Sequence, residues 1–308
     1  MRDIFITELS KLAEDNSDII LITGDLGFGV LDNFAECFPD QYLNIGVAEQ
    51  NMTGVATGLA LEGYKVFTYS IANFTTLRCL EQIRNDACYH DANVNVVSIG
   101  GGFGYGSLGM SHHATEDLSI MRAIPGLDVI APSNDYEAAQ ATHELYNKNG
   151  PSYLRLERAV VDYEISEDQT FSIGKANRLV SGEDVTIIVS GGISEVAVEA
   201  AKEITGSHHI SVGVISMHTI KPLDKEAIIQ AVNETENIIT LEENNLVGGL
   251  GSAVSEVITD NGLKPKAFKR IGLDDKFSSV VGSQEFLRRY YQMDKETVIN
   301  SILEIMSH

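Results

Sequence analysis

The segment Tyr42–Gly63, YLNIGVAEQNMTGVATGLALEG, decides the fold. The short apolar run from Tyr42 to Ile45 ends at Gly46 and reads as a strand. Val47, Ala48, Met52, Val55, Ala56, Leu59 and Ala60 then place apolar side chains around most of a helix. A helix apolar nearly all round is a buried helix. Gly54 and Gly58, one helical turn apart, would let another backbone come close. Glu49 lies in the first turn. A buried carboxyl group must find a partner or keep its proton. One held with a raised pKa serves as a proton donor or acceptor. The plainer reading is an acidic residue favoured by the helix dipole. Both readings stay open here.

Outward from this segment, strands and helices alternate. An amphipathic helix is expected over 3–15, with Ile4, Phe5, Leu9 and Leu12 on one face. Strands are expected at Asp18–Thr23, Lys65–Tyr69, Val94–Ile99, Asp128–Ala131 and Tyr153–Arg158. GDLGFG follows the first, Ser70–Phe74 is read as an exit loop, and a glycine-rich loop, GGGFGYGSLGMSHH, follows Val94–Ile99. Helices are expected at Leu31–Phe38, Thr75–Tyr89, Asp117–Ala123 and Asp135–Asn147. This is the pattern of a parallel α/β sheet, whose sites form at the carboxyl ends of the strands. Asp25, Glu49, Phe74, His112 with His113, and Arg158 all fall there. Residues 161–175 read as an acidic linker between a first domain, 1–160, and a second α/β domain, 176–308. The second has strands at Val185–Val189, Ser211–Ile215, Ile238–Leu241 and Phe268–Ile271, and helices starting near Ser194, Asp224, Gly251 and Ser283. Its histidines, His208, His209 and His218, read as structural or solvated.

The 308 residues suffice for two domains, and 44% hydrophobic with 21% charged residues marks a soluble globular protein. No run is long enough for a membrane span, and the N-terminus lacks a signal-peptide pattern. Cys37, Cys79 and Cys88 have no metal-ligand spacing, and their small, odd number points to a reducing cytoplasm. A net charge of −22 argues against nucleic-acid or anionic-membrane partners and requires local arginines for an anionic substrate. Gly104–Gly109 fits G-x-G-x-x-G, yet three glycines precede it and no helix opens directly after it. A dinucleotide site needs that helix, so the glycines read as room for a close approach. His112 and His113 are adjacent, so at most one faces a given site.

Taken together, GDLG at Gly24–Gly27, IGVAEQNM at Ile45–Met52, ANFTTLRCLEQIRN at Ala72–Asn85, SHHATEDLSIMRAIP at Ser111–Pro125, TIKPLD at Thr219–Asp224 and LEENNLVGGLGSAV at Leu241–Val254 resemble the C-terminal half of a transketolase. The resemblance covers essentially the whole chain. It implies a pyrimidine-binding domain, then a mainly structural C-terminal domain, and thiamine diphosphate as cofactor. It places the catalytic glutamate on Glu49, the ring-stacking aromatic on Phe74, and further cofactor contacts on Asp25 and Ile45. It places the histidine that touches substrate on His112, and phosphate-binding arginines on Arg2 and Arg158, where charge-assisted pairing is the physical reason.

Two departures from the family pattern matter. The G-D-G motif that with a later Asn holds Mg²⁺ and diphosphate is missing, since Gly24–Leu26 reads GDL. The resemblance therefore implies a split enzyme. An N-terminal subunit would hold diphosphate and Mg²⁺, this chain would supply no metal ligand, and the expected assembly is α₂β₂. Leu108, Gly100 and Gly29 stand where typical members have an aspartate, a histidine and a serine for the substrate. Small residues at Gly100 and Gly29 would widen the channel. One expectation is an unusual keto- or deoxy-sugar acceptor, nucleotide-linked or not; the other is an ordinary sugar phosphate with reassigned contacts. The rivals are a 2-oxoacid dehydrogenase β chain, a deoxyxylulose-phosphate synthase and a non-catalytic partner-binding paralogue.

Overall fold

The computed structural model describes residues 1–158 and 170–307. Among them, the strands run β1 (Ile19–Thr23), β2 (Tyr42–Asn44), β3 (Lys65–Ile71), β4 (Val94–Ile99), β5 (Asp128–Ile130) and β6 (Ser152–Leu156), then β7 (Asn177–Val180), β8 (Val185–Ser190), β9 (Val212–Ser216), β10 (Thr219–Lys221), β11 (Asn237–Asn245) and β12 (Ala267–Leu273). They form two sheets, ordered β10-β5-β6-β4-β3-β1-β2 and β12-β11-β8-β9-β7. The central strands β4, β6, β8 and β9 are buried along their whole length. Such apolar strands, covered on both faces by helices, are the signature of parallel pairing.

Two short strands depart from the expected pattern. β10 leaves the second domain and pairs antiparallel with β5 at the edge of the first sheet. β7 pairs antiparallel with β9 at the edge of the second. Each sheet is thus parallel with one antiparallel edge. The boundary expected at 160–161 and the first part of the linker lie outside the described residues. Its last part is docked, not loose: Phe171 stacks on His218 at 4.3 Å, and the Ile173 N–H donates to the Glu144 carboxylate at 2.8 Å. One core runs under both domains, joining Met52, Val94 and Tyr153 to Ile188, Ile215 and Met217.

The helix after β2 spans Glu49–Leu61, and only one side of it is buried, through Glu49, Met52, Thr53, Ala56 and Thr57. The expectation of a helix buried all round fails in this chain. Val47 and Leu61 are exposed, and a Cβ at Gly54 or Gly58 would meet nothing within 4 Å. Val55, Leu59 and Ala60 are half-buried against the core, and the outer face carries Gln50, Asn51, Gly54, Gly58 and Leu61. The N-terminal helix, Arg2–Asp15, buries Phe5, Ile6, Leu9 and Ala13, so its inner face is turned slightly from the expected one. The helix expected over 75–89 is broken into Ala72–Thr75, Leu77–Cys79, Leu80–Gln82 and a π-helical turn, Ile83–Cys88. The final helix is two, Gln284–Tyr290 and Lys295–Met306. Among the described residues no helix is long and apolar enough to cross a membrane.

Candidate active site

Five neighbouring strands, β2-β1-β3-β4-β6, run parallel in that order. The segments leaving their carboxyl ends therefore lie side by side: Ile45–Glu49, Gly24–Gly29, Ala72–Arg78, Gly100–His113 and Glu157–Arg158. Asn44 ties the first two together. Its amide oxygen accepts from the Asp25 and Gly46 N–H groups at 3.0 Å each, and its amide nitrogen donates to the Asp25 carboxylate at 3.2 Å. The Ile45 N–H donates to the Thr23 carbonyl at 3.0 Å. Asp25 sits in the left-handed region at φ 57°, which an aspartate tolerates better than most residues.

These ties fix Glu49 at the start of its helix. The residue is 2% exposed, and a Cβ on Gly24 would already touch its side chain at 3.4 Å. Glu49 has a partner that the sequence gives no sign of. Arg78 donates from Nη1 to the Glu49 carboxylate at 2.7 Å. The same guanidinium lies over the Phe74 ring, 4.6 Å from its centroid, within cation–π range. Phe74 stands on the short helix Ala72–Thr75, not on an open loop.

His112 meets the Phe74 ring edge-on, with centroids 5.1 Å apart. Burial, and behind it the neighbouring His113, lowers its pKa from the ordinary histidine value, so the imidazole is neutral near pH 7. His113 turns the other way. It is buried, bonds the Gly106 carbonyl through Nε2 at 3.0 Å and packs edge-on to Phe103 at 5.2 Å. Only His112 faces the site. Asn73 holds this turn by donating to the His113 carbonyl at 2.5 Å.

Arg158 packs over Tyr105, and Arg2 acts on the same ring only through its charge. The Arg158 guanidinium lies 5.4 Å from the Tyr105 centroid. Burial raises the Tyr105 pKa, while Arg158 and, less, Arg2 pull it down; the Arg2 side chain itself pairs with Asp3 at 2.8 Å. Tyr105 also covers Gly100: a Cβ there would come within 2.3 Å of the ring. The widened channel expected at Gly100 is therefore absent, because the glycine makes room for tyrosine. Leu108 is exposed on the outer part of the same loop. Gly29, also exposed, has open space where a Cβ would be.

The glycine-rich loop is moored in the second domain. Phe103 belongs to that domain's core, stacked on Tyr291 at 5.5 Å. Its N–H donates to the Glu243 carboxylate at 2.5 Å, and Arg288 and Gln284 bind the same carboxylate. Arg155, fully buried, links the Ala114 carbonyl to the Glu243 carbonyl at 3.0 and 2.9 Å and pairs with Asp117 at 2.9 Å. Glu242 accepts from the Leu250 and Gly251 N–H groups at 2.7 and 2.8 Å, while burial pushes its pKa up to about 7. The second domain was expected to be mainly structural, yet Glu243 of its β11 braces the loop that carries His112, while Glu242 holds the start of the helix Leu250–Asp260. LEENN contained the signal, since two adjacent carboxylates on a buried strand need donors.

Against this geometry, the comparisons identify the class. Residues 1–163 match the family model for the transketolase pyrimidine binding domain, and residues 174–298 match the transketolase C-terminal domain. The chain belongs to the transketolase family. A protein of Methanocaldococcus jannaschii described as a putative transketolase C-terminal section is 39% identical, covering 99% of this chain and 96% of its own. One of the subunits of the apulose-4-phosphate transketolase of Phocaeicola vulgatus is 36% identical over 99% of this chain and 97% of its own. The 1-deoxy-D-xylulose-5-phosphate synthase of Halothermothrix orenii is 35% identical over 98% of this chain but only 48% of its own. Among solved structures, a split-gene transketolase described as an inactive β4 tetramer matches with a TM-score of 0.88 at 32% identity, over 99% of this chain and 97% of that one. Within the family, the chain thus matches proteins described as a section, a subunit or a split-gene product over nearly their whole length.

Proposed function

We propose that this chain supplies the pyrimidine half of a thiamine diphosphate site in a two-chain enzyme. The assembled enzyme moves a two-carbon ketol unit from a ketose donor to an aldehyde or keto-sugar acceptor. The observation that carries this reading is the buried Glu49 carboxylate beside the Phe74 ring, with His112 on that ring's edge. The residues fit the group: the space between Glu49 and Phe74 already accepts a planar, cationic hydrogen-bond donor, the Arg78 guanidinium. When bound, thiamine diphosphate supplies the electron sink for cleaving the bond beside the ketone.

The work of this chain follows from its residues. Glu49 holds and moves a proton at the ring nitrogen facing it. Phe74 presents an apolar face, with Asp25 and Ile45 alongside. His112, neutral near pH 7, can both donate to and accept from substrate hydroxyls. Arg158 over Tyr105, together with Arg2, supplies positive charge that suits a sugar with a terminal phosphate or sulfonate. Such local charge is what an anionic substrate requires in a chain of net charge −22.

Diphosphate and Mg²⁺ fall to the partner chain, expected in an α₂β₂ assembly. Phe28, Val47, Leu77, Leu108 and Met110 are exposed apolar residues on or beside the site segments, and exposed apolar patches mark interaction surfaces. The uncovered face of the Glu49 helix belongs to the same expectation. The match to relatives named as subunits or sections supports a partner that completes the site.

The test is turnover of the assembled pair over a panel of sugar phosphates, sulfosugars and nucleotide sugars. Glu49→Gln keeps the assembly but lowers turnover by about 10²–10⁴-fold, the usual size for a proton-transfer group; near-normal turnover overturns the reading. The synthase match favours one second reading, condensation of pyruvate with an aldose phosphate. Release of carbon dioxide from pyruvate, with no ketol transfer, would select it.

A further inference from the structure

Resting on that reading of the site, we propose that Arg78 is a stand-in for the cofactor's ring. In the unloaded chain its guanidinium fills the place between Glu49 and Phe74, and the ring displaces it on binding.

Three observations converge. Arg78 pairs with Glu49 at 2.7 Å. It also covers the Phe74 ring at 4.6 Å. Its own side chain is 44% exposed while that of Glu49 is 2% exposed. A flat cationic donor stacked on an aromatic face and bonded to a carboxylate offers the two contacts that a protonated aminopyrimidine would make. The two groups cannot occupy one place, so they compete.

The local backbone suits a side chain that must leave. Arg78 stands on the one-turn Leu77–Cys79 segment, between two other short helical pieces. Thr76, two residues before it, separates this turn from the helix Ala72–Thr75. The neighbouring Leu77 is exposed, so the rotated guanidinium has solvent to enter.

The pairing also answers a physical need. A buried, ionised carboxylate with no counter-charge is unfavourable. Arg78 satisfies Glu49 while the site waits, and reduces the apparent affinity for the ring by the fraction of chains in which it is seated. Because that competition is local, Arg78 tunes loading without taking part in ketol transfer.

The experiment is calorimetric titration of thiamine diphosphate with Mg²⁺ into the complex of this chain with its partner. It compares wild type, Arg78→Ala, Glu49→Gln and the double variant, with assembly checked by size-exclusion chromatography. Arg78→Ala is expected to bind about tenfold more tightly, the equivalent of about 1.4 kcal/mol. In the Glu49→Gln background the same substitution is expected to change affinity little, because the seat of the guanidinium has gone. Unchanged affinity in Arg78→Ala, or affinity weakened as for a direct ligand, overturns the stand-in. Failure of the reading beneath it looks different: the wild-type complex itself would not bind the cofactor.

Discussion

At Gly100 a hydrogen atom decides the shape of the site. The residue has φ +77°, and a Cβ there would come within 2.3 Å of the Tyr105 ring. Both strain and overlap oppose any side chain. Gly100→Ala is expected to lower stability by about 1–3 kcal/mol and to raise KM for an anionic substrate by pushing Tyr105 away from Arg158. A urea melt and steady-state kinetics check both, and Tyr105→Ala in the same chain is expected to restore part of the stability but not the KM. The single residue is also where sequence reading reached furthest and then stopped. That Glu49, Phe74 and His112 lie at one sheet edge was legible because strand-end motifs carry them. Arg78 and Tyr105 were not, because each acts through a partner distant in sequence. Arg78 meets Glu49 across 29 residues, and Tyr105 lies among glycines that suggested space, not the ring that fills it.

At the scale of elements, β11 does more than complete a sheet. Its Glu243 joins Phe103 of the glycine-rich loop to Arg288 and Gln284 of the second domain. Glu243→Ala removes the buried carboxylate shared by the Phe103 N–H, Gln284 and Arg288, and breaking a buried pair typically costs about 3–5 kcal/mol. Equilibrium urea unfolding is expected to show that loss, whereas Glu256→Ala, which breaks the exposed pair with Arg122, is expected to cost less than about 1 kcal/mol. Equal effects would mean that the β11 tie is not structural. The long apolar strands were legible because burial on both faces writes a continuous apolar run. β7 and β10 were missed because each is an antiparallel edge strand outside the strand–helix alternation that revealed the equally short β2 and β5. The helix expected over 75–89 had the right spacing, and its break at Thr76 and π-helical turn left no sequence mark.

At the scale of the whole molecule, half of a catalytic edge is built and the rest faces outward. Helix Glu49–Leu61 leaves Gly54, Gly58 and Leu61 exposed, and exposed apolar residues flank Glu49, Arg78 and His112. The sequence suggested a second chain from a missing diphosphate motif; the fold adds an uncovered surface at the site itself. The decisive measurement is calorimetric titration of thiamine diphosphate with Mg²⁺ into this chain alone and into its mixture with the candidate N-terminal partner. Saturable binding in the mixture only, at one site per pair of chains, is the expected result. Equally tight binding to this chain alone would contradict a site completed by a partner.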